Sequence, residues 1–83
     1  MRIARNVKFR EEKFGGVLFE TRTEKVYTLT PTAAAVVQEI AAGRGGDDIA
    51  PTLAERFAAD DGTIRREVAA FVAELREKGL VED

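Results

Sequence analysis

Acidic residues stand in adjacent pairs at Glu11-Glu12, Asp47-Asp48 and Asp60-Asp61. Two neighbouring carboxylates are the residue types that could pass a proton or hold a divalent cation. Each pair, however, falls in a predicted turn or at a predicted helix start, where acids accept hydrogen bonds from free N–H groups and oppose the helix dipole. The chain contains no Cys and no His. That removes disulfides, thiolate nucleophiles, the usual zinc and iron ligands and the side chain that most often moves protons at neutral pH. Gly15-Gly16 and Gly43-Arg44-Gly45-Gly46 lack the ordered glycines and lysine of a phosphate-binding loop and read as turns. The sequence therefore predicts no catalytic residue, no metal site and no cofactor, and points to a binding module.

Two features suit contact with a partner. Tyr27 is the single tyrosine, on a segment expected at the margin of a small sheet; it serves equally as an ordinary strand former and as a contact residue. The second is the helix predicted after residue 62, whose core stripe is Ile64, Val68, Phe71 and Leu75. On a wheel of about 100° per residue, one flank of that stripe carries Val72, Arg65, Arg76 and Ala69, and the other carries Glu67, Glu74 and Lys78. Small apolar residues between two arginines suit a partner with a hydrophobic anchor and nearby acids. A solvated face with balancing charges is the competing reading.

The elements that must position these residues follow from periodicity. Before about residue 30 the period is two. Val7 and Phe9 alternate with Lys8 and Arg10, Val17-Leu18-Phe19 forms an apolar run after the glycine pair, and Lys25-Val26-Tyr27-Thr28-Leu29 is β-branched and aromatic. Thr21-Arg22-Thr23-Glu24 reads as the loop of a hairpin. After residue 30 the period is helical. Thr30 caps a helix that opens at Pro31, carries Ala33, Val36, Val37 and Ile40 on one side and stops at Gly43. Asp47 or Asp48 offers a cap to a second helix with Ile49, Leu53 and Phe57 on its apolar face, and Pro51 is expected within its first turn. Asp60-Asp61-Gly62-Thr63 offers caps to the third, which Gly79 ends. The expectation is one α+β domain over residues 1–83: a winged-helix-like, three-stranded antiparallel sheet followed by three helices with a helix-turn-helix.

At 83 residues the chain supports one modest core. Its net charge of −2 divides unevenly, with seven Lys/Arg against four Glu in residues 1–30 and six against eleven acids afterwards. A mildly acidic chain is a poor nucleic-acid binder, and the third helix balances Arg65, Arg66, Arg76 and Lys78 against Glu67, Glu74 and Glu77. A winged-helix DNA-binding protein is nevertheless the alternative reading. No apolar run approaches the roughly 18 residues of a membrane span and the first residues lack a signal peptide's apolar stretch, so the expected location is the cytosol.

The phrases Val7-Lys8-Phe9-Arg10-Glu11-Glu12, Phe14-Gly15-Gly16-Val17-Leu18-Phe19 and Val26-Tyr27-Thr28-Leu29-Thr30-Pro31-Thr32-Ala33-Ala34 resemble the PqqD family of peptide chaperones, or RiPP recognition elements. So do Ile49, Leu53 and Phe57, and the closing Val68, Phe71, Val72, Leu75, Gly79 and Leu80. The family commonly has Asn where Thr30 stands, and Thr preserves the capping chemistry. The resemblance implies a protein that binds the leader segment of a ribosomally made precursor peptide as an added strand and presents it to a modifying enzyme, often a radical S-adenosylmethionine (SAM) protein. The residues expected to bind peptide are Lys25, Val26, Tyr27, Thr28, Leu29, Arg65, Ala69, Val72, Ala73 and Arg76. An unpaired edge strand can also join two copies, so both monomer and homodimer are open.

Overall fold

The computed structural model describes residues 1–44, 46–57 and 60–82. Its main sheet is built of β2 (Val7–Glu12), β3 (Gly15–Glu20) and β4 (Lys25–Leu29), antiparallel and in that spatial order. The central strand sets the register: Leu18 stands opposite Phe9 on one side and Tyr27 on the other, and it is buried. Alternation then sends Lys8, Arg10, Phe19, Val26 and Thr28 to the outer face, all but Phe19 well exposed, while Val7, Leu18 and Leu29 turn to the core. The glycine pair expected as a turn instead begins β3. Glu12 faces Gly15, so the hairpin turns at Lys13-Phe14. Gly15 holds φ +143°, and a Cβ there would lie 2.2 Å from the Leu29 carbonyl oxygen. Glycine lets the hairpin end close against the junction that follows β4.

That junction is the Thr30-Pro31 signal. Thr30 is extended, its hydroxyl accepts from the Ala33 N–H at 3.2 Å, and Pro31 opens α1 (Pro31–Ala41). Ala34, Ala35, Val36, Val37 and Ile40 are all buried and lie around the helix, because α1 packs between the sheet and the other two helices. α2 (Gly46–Phe57) and α3 (Asp61–Glu77) complete the helical layer, with Asp60 capping α3 by accepting from the Thr63 N–H at 3.0 Å. Ile49 and Leu53 of α2 join Ile64, Val68 and Leu75 of α3 in the core. The result is the winged-helix-like α+β arrangement expected from the sequence.

Two details of α2 differ from expectation. Pro51 lies inside the helix and not in its first turn; it is exposed, and its missing N–H leaves only the carbonyl four residues back without a helical donor. Phe57 ends the helix 37% exposed, because the core stripe has run out by the last turn. Asp47 and Asp48 lie within the helix, and their capping role falls outside the described side chains, as does Gly45 of the expected link. A further element has no counterpart in the sequence reading. β1 (Arg2–Ile3) pairs antiparallel with β5 (Val81–Glu82), joining the two ends of the chain and burying Leu80 and Val81.

Candidate functional site

Strand β4 ends the main sheet, so the alternate N–H and C=O groups along its outer side have no strand to pair with. Beside this edge a cleft of about 280 Å³ separates the sheet from α3. Val26, Tyr27, Thr28 and Leu29 form one wall, and Phe71, Glu74, Leu75 and Lys78 form the other, with Leu80 at the base. A second cavity of about 170 Å³ continues along the start of α1, between Thr32, Ala33 and Val36 on one side and Glu67, Val68 and Phe71 on the other. Phe71 lines both and stands between them, so the two hollows lie end to end along α3 and together make the trough beside β4 and the start of α1. The chain from Val26 to Ala33 and α3 from Glu67 to Lys78 run along it in opposite senses.

Folding produces this trough from ordinary parts. Leu29 and Tyr27 turn toward the core and bring the floor of β4 against it, while Val26 and Thr28 stay outside, Val26 with 60% of its surface exposed. On α3 the buried stripe of Ile64, Val68 and Leu75 anchors the helix, leaving half-buried Phe71 to face the opening. An apolar floor beside free main-chain groups can take an extended peptide: backbone pairing supplies affinity, and side-chain pockets on alternate residues supply selectivity. Lys78 and Glu74 pair at 3.1 Å on the α3 rim.

Of the residues expected to bind, Val26, Tyr27, Thr28 and Leu29 line the trough, and Lys25 stands at the start of the same strand. None of Arg65, Ala69, Val72, Ala73 and Arg76 lines it. α3 presents to β4 Phe71 of its core stripe with Glu74 and Lys78 of the other flank, and Glu67 of that flank borders the start of α1, while Val72 packs half-buried against the core cluster. The core stripe is the same in either arrangement; the path of α2 and α3 across the sheet decides which flank meets the open edge. Leu80 and the α1 residues Thr32, Ala33 and Val36 were missed, and their only sequence signal was position just beyond the strand and the third helix. Among the described residues no group of three or more Asp, Glu, His or Cys could hold a metal ion, and no helix is long and apolar enough to cross a membrane.

The family described as coenzyme PQQ synthesis protein D (PqqD) matches residues 15–81. Two solved structures share the fold. TbiB1 in complex with the TbiA(beta) leader peptide is 21% identical, with a TM-score of 0.89 over 99% of this chain and 95% of that one. Lasso peptide synthetase B1 complexed with the leader peptide is 27% identical, with a TM-score of 0.86 over 99% of this chain and 96% of that one. No curated protein matches the chain in sequence.

Proposed function

The chain belongs to the PqqD family, and from that premise we propose that it is a non-catalytic peptide chaperone for a precursor-peptide pathway. It binds the leader segment of a ribosomally synthesised precursor as an extra strand along β4, with apolar anchors in the trough against Phe71, Leu75 and Leu80. The observation that carries this is the free edge of β4 beside an apolar cleft against α3, in a fold whose solved relatives are complexed with leader peptides. The bound leader leaves the core segment of the precursor free for a modifying enzyme. A radical SAM protein is the proposed partner, on the family resemblance; with no Cys in this chain, ligands for an iron–sulfur cluster would come from that enzyme. The setting proposed for both is the cytoplasm.

Nothing in the trough favours the DNA-binding alternative. Its α3 rim carries the Glu74–Lys78 pair and Glu67, a net negative charge beside the opening that repels a phosphate backbone. Calorimetric titration with the leader peptide encoded beside this chain's gene tests the proposal. Phe71→Ala, which removes the side chain common to both cavities, weakens binding by at least about tenfold. Ala69→Trp, on the flank away from the trough, leaves it unchanged. A folded Phe71→Ala protein that binds as well as its parent would exclude the trough as the docking site.

A further inference from the structure

Charge is distributed unevenly along the trough. At the β4 end Lys78 holds the Glu74 carboxylate at 3.1 Å, so each ion already has its partner. At the α1 end the cavity is lined by Ala33, Val36, Val68 and Phe71 with two threonines, and Glu67 brings the single formal charge. The Thr30 hydroxyl there is engaged in capping α1. Among the described residues the Glu67 carboxylate makes no hydrogen bond and no ion pair: the positions one helical turn away are Thr63, Ile64, Ala70 and Phe71, none of them basic. A lone carboxylate on the rim of an apolar pocket gains by meeting a cation from the occupant, whereas an acid placed there is repelled.

Resting on the leader-binding reading, we infer that Glu67 is a specificity-determining residue that reads a Lys or Arg side chain of the bound segment and thereby sets the direction in which the segment runs. Glu67 stands one turn from Phe71 and two from Leu75, about 6 Å and 12 Å along the helix at 1.5 Å per residue. At about 3.3 Å per strand residue, the basic side chain lies roughly two to four residues from the apolar anchors. A segment antiparallel to β4 enters at the α1 end, so its basic residue precedes the anchors. In a parallel segment the basic residue follows them. The partner chemistry is thus a strand-forming peptide with apolar anchors and one cation at a fixed offset, the reverse of the acid-bearing peptide that the Arg65 and Arg76 flank suggested.

The test is selection of a displayed library of short random peptides on the full chain and on its Glu67→Gln, Glu67→Lys and Phe71→Ala variants, with circular dichroism to confirm folding. The expected result is enrichment of Lys or Arg at one offset from apolar anchors on the parent. Glu67→Gln loses that preference and keeps the anchors, Glu67→Lys selects Asp or Glu at the same offset, and a single selected peptide binds Glu67→Gln about three- to tenfold more weakly, most clearly at low salt. Anchored peptides that depend on Phe71 but show no basic residue at a fixed offset overturn the role of Glu67 and leave leader binding standing. If no enriched peptide depends on Phe71, the trough reading itself fails, and the inference with it.

Discussion

The two edges of the main sheet have the same backbone and opposite surfaces. β2 carries four charges in six residues, Lys8, Arg10, Glu11 and Glu12. Arg10 and Glu12 pair at 3.0 Å, and the Glu11 carboxylate accepts from the Gln38 side chain of α1, so this edge is charged and tied to a helix. β4 carries one charge, Lys25, and beside it lies the trough with Val26 exposed. An unpaired edge invites any extended chain, and clustered charge is a common device for discouraging it. The difference fits the proposed docking at β4: charge guards one edge, and the other is left open beside the trough.

The largest effect comes from removing what both edges share. Leu18→Ala on the central strand deletes a side chain only 1% exposed and destabilises the domain by about 2–5 kcal/mol, out of the roughly 5–15 kcal/mol typical of a domain. Thermal melts should fall sharply, and both edges are lost together; a melt equal to the parent's would show that β3 is not the spine of the sheet.

Proline separates the edges. Of Tyr27→Pro and Thr28→Pro, the one whose N–H points outward keeps its ladder to β3 and loses leader binding by at least about tenfold, or about 1.4 kcal/mol. Proline at Lys8 or Phe9 leaves binding intact in whichever variant stays folded. Equal losses at both edges, measured by calorimetry, would erase the comparison.

Thr30→Ala removes the cap at the point where β4 passes into α1, with an expected loss of about 1 kcal/mol in chemical denaturation. The smallest change in stability sharpens the contrast. Replacing Lys8 and Arg10 by Thr alters the folding free energy by no more than about 1 kcal/mol, since exposed charges contribute little. It should nevertheless make β2 adhesive, seen as concentration-dependent association by sedimentation beyond any that the parent shows.

Local chemistry was enough for much of this molecule. Lys25–Leu29 is bounded in the structure as its β-branched and aromatic residues predict, and Thr30-Pro31 opens α1 as a cap followed by a residue without an N–H. Asp60 caps α3, and the spacing of Ile64, Val68 and Leu75 put those side chains in the core. Those signals span a few neighbours and need no knowledge of the rest of the chain. β1 and β5 were illegible because two-residue strands have no period, and they pair only when α3 has carried residue 80 back to the start.

The flank of α3 that borders the trough was also beyond the sequence, for a deeper reason. A helical wheel fixes the buried stripe, and both flanks, Val72 with Arg65 and Arg76, or Glu67 with Glu74 and Lys78, sit at similar angles from it. Periodicity has no term that tells them apart. Only the crossing of α2 and α3 over the sheet turned Phe71, Glu74 and Lys78 toward β4 and Glu67 toward the start of α1, and that crossing is set by long-range packing in the shared core that holds Ile49, Leu53, Ile64 and Val68.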